Sequence, residues 1–567
     1  MSDEGKRRIG DGGAKGVWGR VAMPLLLLVG GVVLYSIGLG RVHLFDWDEI
    51  NFAESAREML VSGNYLDVQV NFETFWEKPP LFIWFQVIGM KLWGIGEVGA
   101  RFPNAVAGGV TLALLFCIGR REKGDRFGLL WALLYGSSLL PFFYFKSGII
   151  DPWFNLFIFL GLYHLSRYTS PVVREGKSRE AILGGFFIGL STLTKGPVGL
   201  LIVGLILGIL LLLQRGRIGY FRWVDLLGFG LTYCVVGGFW FILQIATGHW
   251  SIIEDFFIYQ VRLFRTEDAG HGGFLLYHFV VLLFGAFPAS LLALPVMRRS
   301  VVEDEGSEGM AHLLRYMIVA LWVVLILFTV VRTKIVHYSS FCYFPITFLA
   351  AYYVEDRLKR GAPLARWVKY SIVAVGGLVA SALVVLTNID CYVDRLTPLV
   401  DPFTAGNLSA DGGWRGYEWI TGLVLLGAVL YFERAEVRHL GRAMKVLLLG
   451  CGATMLLGML LVVPRVEAYS QRALVDFCVA RRGEVCYIYP LFKSYAHYFY
   501  SDRRPENNCD DKEYLMHGEL DRPAYFVVRL YEGAEEELMS ECPEATRLYT
   551  KNGFGFYVRY PKRTNND

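Results

Sequence analysis

The segment Phe45-Asp46-Trp47-Asp48-Glu49 opens a helical pattern in which Phe52, Ala53, Ala56, Met59 and Leu60 share one side and Glu54, Arg57 and Glu58 the other. That division predicts an amphipathic helix lying at a membrane interface. Asp48 stands at its start, where a carboxylate has two uses that periodicity does not separate. It can cap the helix by accepting backbone N–H bonds, or it can act as a general base toward a hydroxyl nucleophile. Further along, Glu77-Lys78-Pro79-Pro80 places a charged pair at the mouth of an apolar run, fixed there because two prolines prevent a helix from continuing. Other charges recur at ends of apolar runs: Lys146 and Asp151, Lys195 before Gly196-Pro197, Arg262 and Arg265 with His271, and Arg332, Lys334 and His337 beside Tyr338. A single interfacial lysine only snorkels, and Asp151 before Pro152 alone reads as a helix start. A cluster of such charges points instead to a bound anion, because each is expensive without a partner.

Apolar segments must position these groups. The chain has 567 residues, of which 54% are hydrophobic and only 19% charged, and its mean hydropathy is +0.39. That surplus exceeds what soluble cores use and identifies a polytopic α-helical membrane protein. About thirteen runs have roughly the length and apolarity of a span: 21–39, 103–119, 127–145, 153–165, 181–194, 198–213, 226–246, 276–296, 313–331, 338–354, 370–386, 420–432 and 446–463. Lys and Arg gather in the tail 1–20 and in alternate loops, at 120–126, 167–179, 215–222, 298–299, 357–369 and 434–445. Basic short loops stay cytoplasmic, so the N-terminus is expected inside and everything after 463 outside. The net charge of +4 therefore reports topology, and nucleic acid is not an expected partner.

The expected organisation is a cytoplasmic tail (1–20), a membrane domain (21–463) and a small extracytoplasmic α/β domain (464–567). Two outer loops, 41–101 with its interfacial helices and 247–275, carry most of the chemistry-bearing residues. The tail domain is read from β-rich stretches at 485–489, 525–530 and 554–560 and from helical patterns at 468–480 and 495–500. Four of the nine cysteines, Cys478, Cys486, Cys509 and Cys542, fall there, and an oxidising compartment favours their pairing. No zinc-finger spacing, phosphate-binding glycine loop or nucleophile-elbow serine occurs.

From about 45 to 354 the chain resembles integral-membrane glycosyltransferases of the GT-C fold that use polyprenyl-phosphate sugars. It is most similar to 4-amino-4-deoxy-L-arabinose transferases and more distantly to protein O-mannosyltransferases. The markers are Asp48-Glu49 with Ala53-Glu54 and Arg57-Glu58-Met59-Leu60, then Glu77-Lys78-Pro79, Asp151-Pro152, Thr194-Lys195-Gly196, Gly270-His271, and Lys334 with Tyr338. The resemblance implies that Asp48 deprotonates or orients the acceptor, with Glu49 beside it and Asp151 as a second acidic catalytic residue. It implies that Lys78 and Tyr338 hold the lipid-linked phosphate; by their place among the outer charges Lys195, Lys334 and either Arg262 or Arg265 are expected to join them. Glu77 and His271 resemble ligands of a structural zinc ion found in one branch; no cofactor is required for the reaction itself. Where the aminoarabinose enzymes read Asp-Glu-x-Arg-Tyr-Ala, this chain has Asn51 and Phe52 in place of the arginine and tyrosine.

The function expected is inverting transfer of a monosaccharide from a polyprenyl-phosphate carrier, such as undecaprenyl phosphate, on the outer face of the cytoplasmic (inner) membrane. The acceptor would be a lipid A-like lipid, a glycan or a protein, and membrane lipids surround the spans. The rival class is a polytopic transporter or lipid flippase. Transporters place their charges near the bilayer midplane and are built from repeats, whereas these charges gather at one surface.

Overall fold

The structure of the protein, a computed structural model, describes residues 13–75, 77–215, 220–265, 273–297 and 307–562. It is mostly helical. The thirteen apolar runs are largely helical, but they differ in length, and 127–145 is broken at Ser137 and Ser138. Among the described residues five helices are long and apolar enough to cross a membrane, or six when one bent pair is counted as a span. That pair, Tyr277–Gly285 and Ala289–Val296, replaces the straight span expected at 276–296. It turns by 105° at a break containing Pro288, which has no N–H to continue a helix.

The elements that position the polar groups are α1 (Gly13–Ser36), α2 (Asp48–Ser62), α3 (Leu81–Trp93), α4 (Glu97–Lys123), α5 (Asp151–Thr169), α6 (Lys177–Lys195), α7 (Val198–Leu213) and α8 (Glu308–Val330). Spans in lipid gain nothing from hiding apolar surface from one another, so close backbone approach and van der Waals contact must hold them together. The α1–α4 crossing shows this: a Cβ added to Gly31 would sit 2.8 Å from the Cα of Gly109. α3 is an apolar helix that span counting does not anticipate. It follows Pro79-Pro80 and packs its Phe82 against Phe52 of α2 and Ile150, the residue before α5.

After the last spans the chain forms a four-stranded sheet in the order β3-β4-β6-β5, where β1 (Gln69–Val70) and β2 (Glu73–Thr74) are a separate small hairpin in the first loop. β3 (Tyr487–Pro490) runs parallel to β4 (Ala524–Arg529), which pairs antiparallel with β6 (Phe554–Arg559), and β5 (Thr546–Lys551) lies antiparallel at the edge. β3, β4 and β6 lie where alternation predicts strands; β5 escapes such a reading because all six of its residues are exposed and it lacks a buried apolar face. The expected disulfides do not form: all nine cysteines are free, and Cys478, Cys486 and Cys542 are buried as small apolar side chains.

The sheet domain is locked onto the first loop rather than tethered to it. Leu44, Ile50, Ala53, Ala56 and Met59 share one apolar core with Leu474, Phe477, Phe499 and Phe556. Around it, the buried Arg57 of α2 binds Asp502 at 2.9 Å and the Arg503 carbonyl at 2.8 Å, and the Leu44 N–H donates to the Tyr500 hydroxyl at 2.6 Å.

Candidate functional site

Asp48 is the first residue of α2 and does not cap it. The preceding residue, Trp47, occupies the cap position with φ 81° and ψ −101° and makes no side-chain cap bond. For a bulky residue this backbone is strained, and such strain persists only where the surroundings enforce it. Here they do: Oδ1 of Asp46 accepts the N–H of Trp47 at 2.8 Å and that of Tyr495, from the sheet domain, at 2.9 Å. Freed from capping, the Asp48 carboxylate lies 3.5 Å from Nε2 of His337.

The same imidazole lies 3.8 Å from Oδ2 of Asp151, whose Oδ1 accepts from the Lys195 ammonium at 2.8 Å. The ammonium also lies 5.6 Å from the Phe154 ring and 5.7 Å from the Tyr338 ring, near enough for cation–π attraction. Helix ends favour this pair. Asp151 begins α5 and Lys195 ends α6, so each charge sits at the pole of the helix dipole that attracts it. Gly196, with φ +94°, then reverses the chain into α7, a conformation available to glycine at little cost.

Packing fixes these groups relative to one another. Phe52 lies one turn beyond Asp48, Ile150 immediately precedes Asp151, and Phe82 stands at the start of α3 just after Lys78-Pro79-Pro80; the three form one buried apolar cluster. Phe52 thus fills an apolar space where the resembled family has a tyrosine. Asn155, one turn into α5, donates to Ser340 at 2.7 Å, and Ser340 in turn bonds the His337 carbonyl. This ties α5 to the 3₁₀ turn Val336–Cys342 that carries both His337 and Tyr338. His337, which the sequence offers only as one more outer charge, joins the two carboxylates; its adjacency to Tyr338 was the available signal.

Exposure differs sharply within the cluster. The Asp48 side chain is 47% exposed, against 4% for Asp151. Asp151 Oδ2 accepts no hydrogen bond among the described residues. The arrangement therefore offers one carboxylate open to a solvent-borne group and one buried carboxylate holding an ammonium in place.

Several expected residues do other work. Glu49, next to Asp48, is buried and takes a two-pronged bond from Arg101, with Nε at 3.0 Å and Nη2 at 2.7 Å. It also accepts the N–H groups of Phe45 and Gly148, while Arg101 binds the carbonyls of Leu39, Val42 and His43. Glu49 thus seats the start of the first loop. Lys334 gives its ammonium to the carbonyls of Phe328, Thr329 and Val331 at 2.7–2.9 Å. It satisfies the end of α8, whose last carbonyls have no helical partners. Lys146 does the same for α1 through the carbonyls of Tyr35 and Ile37.

Lys78 lies 3.8 Å from Glu77 at the approach to α3. The helix Trp250–Arg265 carries Arg262 and Arg265, but their side chains, and the whole of His271, lie outside the described residues. Among the described residues no three His, Cys, Asp or Glu side chains gather where they would hold a metal ion.

Residues 77–240 match the family model described as dolichyl-phosphate-mannose-protein mannosyltransferase. The chain is 26% identical over 362 residues to the undecaprenyl phosphate-alpha-4-amino-4-deoxy-L-arabinose arabinosyl transferase of Edwardsiella ictaluri, covering 62% of this chain and 63% of that one. It is 28% identical over 349 residues to the protein of the same name from Pseudomonas paraeruginosa, covering 60% and 61%. The chain thus spans just over three fifths of the length of these relatives. Its fold is that of ArnT from Cupriavidus metallidurans, solved bound to undecaprenyl phosphate: TM-score 0.72 at 16% identity, over 95% of this chain and 99% of that one.

Proposed function

We propose that the protein is an inverting glycosyltransferase that moves a monosaccharide from a polyprenyl-phosphate carrier to an acceptor on the extracytoplasmic face of a bacterial inner membrane. The observation that carries this reading is the meeting of Asp48, His337, Asp151, Lys195 and Tyr338 at helix ends, in a fold shared with a protein solved with undecaprenyl phosphate. Relatives at 26–28% identity named as undecaprenyl-phosphate aminoarabinose transferases support the donor class.

In this reaction the acceptor oxygen attacks the anomeric carbon and the bond to the carrier phosphate breaks, its electron pair leaving on the phosphate oxygen. The proton of the attacking hydroxyl passes to Asp48, the exposed carboxylate, with His337 holding Asp48 in register. Lys195, aimed by Asp151, receives the charge that develops on the phosphate, and Lys78 flanks the lipid approach. A positioned donor of this kind lowers the barrier by roughly 3–4 kcal/mol.

The finer topology belongs to the same reading: about thirteen crossings, the N-terminus inside and the sheet domain outside. The alternating basic loops support it. A C-terminal alkaline-phosphatase fusion should be active and a C-terminal GFP fusion dark. The activity itself is tested with purified protein and a panel of undecaprenyl-phosphate sugars. Consumption of one of them with release of undecaprenyl phosphate is expected; consumption of none, with no thermal stabilisation by undecaprenyl phosphate, would overturn the proposal.

A further inference from the structure

A cleft of about 450 Å³ opens in the sheet domain beyond the end of β3, and the reaction residues described above do not line it. Its volume suits a small ligand. Its walls combine the rings of Tyr489, Phe492, Tyr495 and Tyr498 with the polar groups of Lys493 and Ser494. Such a lining matches a sugar, which presents an apolar C–H face and a rim of hydroxyls. His497 lies in the same wall, buried, with Nδ1 lacking a hydrogen-bond partner among the described residues.

Charge narrows the ligand further. Asp510, the acidic group of the lining, is already bound by Arg503 at 3.0 Å, Asn71 at 2.5 Å and the Tyr498 hydroxyl at 2.7 Å. Lys512 is paired with Glu541 at 2.7 Å. Lys493 is exposed and has no carboxylate at ion-pair distance among the described residues; its ammonium rests 4.4 Å from the Trp47 ring. The cleft therefore presents one uncompensated positive charge beside aromatic rings.

Position gives the cleft a use. Lys493 lies against Trp47, which immediately precedes Asp48, and the Tyr495 N–H is bound to Asp46 at 2.9 Å. At its other side Asp510 holds Asn71 of the first loop. The cleft is thus fixed to the loop that presents Asp48, through Trp47, Asp46 and Asn71. A lipid-borne donor comes from the bilayer, whereas the cleft belongs to the sheet domain, which gives the acceptor a place separate from the donor's.

We propose that the cleft is an acceptor subsite that holds an anionic carbohydrate head group, its negative charge on Lys493 and its ring against the tyrosines. The proposal rests on the glycosyl-transfer reading for its role, and its binding chemistry is testable apart from it. The full-length protein in nanodiscs, saturated with undecaprenyl phosphate to fill the donor site, is titrated by saturation-transfer NMR with glucose 1-phosphate, glucose and inorganic phosphate. Glucose 1-phosphate should bind at least tenfold more tightly than either fragment, and at least tenfold more weakly to Lys493→Glu and Lys493→Gln than to wild type. Both variants should keep the thermal shift given by undecaprenyl phosphate, which reports an intact fold. Equal binding in wild type and Lys493→Gln, or binding that disappears once undecaprenyl phosphate is present, would overturn the subsite. Failure of undecaprenyl phosphate to stabilise even the wild type would instead sink the donor reading and leave the cleft result standing.

Discussion

Asp151 and Lys195 are 44 positions apart, yet their side chains meet at 2.8 Å where the start of one helix adjoins the end of the next. The pair is both a clamp between two helices and the support of the cation proposed for the leaving phosphate. Removing one buried partner leaves the other uncompensated, typically at a penalty of about 3 kcal/mol or more. Lys195→Met should therefore lower both thermal stability and transfer, while the double change Asp151→Asn with Lys195→Met should regain stability without activity. A double-mutant cycle on unfolding temperature measures this, and additive losses would show that the two charges act separately.

Asp48 makes no cap bond, so replacing it should leave α2 intact. Asp48→Asn is expected to slow transfer by about 10²-fold or more while the shift in melting temperature given by undecaprenyl phosphate stays as in wild type. Transfer at the wild-type rate would remove Asp48 as the base.

Glu49 should respond in the opposite sense. In Glu49→Gln the buried Arg101 guanidinium loses its anion, and about 3 kcal/mol of stability should go with it. Activity per folded molecule should fall far less than in Asp48→Asn. Comparing the two variants at a temperature where both remain folded separates them, and an equal loss of activity would return Glu49 to the reaction.

Glu58, outside the spans, carries a pH signature. Burial and the neighbouring Glu54 raise its carboxyl well above the ordinary range. In the folded protein it stays protonated after the unfolded chain, with an ordinary value near ~4.3, has ionised. Stability should therefore decline as pH rises above that value, by up to ~1.4 kcal/mol per unit, until the folded carboxyl ionises in turn. Glu58→Gln should flatten this slope in urea titrations between pH 5 and about 8; an unchanged slope would show that another group sets it.

By itself the sequence determined the membrane character, the helical runs, the order of polar groups at their ends, and three of the four strands of the C-terminal sheet. These follow from composition and periodicity, which each segment carries locally. Which polar groups meet was decided by the tertiary structure. Asp48 and Glu49 are adjacent in the chain, but a helix turns neighbouring side chains by about 100°, so one faces His337 and the other Arg101. Lys195 and Lys334 look alike as lysines at helix ends, yet one tip finds the carboxylate of another helix and the other finds its own helix's unpaired carbonyls. A flexible ammonium takes whatever acceptor lies within its reach, and only the packing of distant segments sets which acceptor that is.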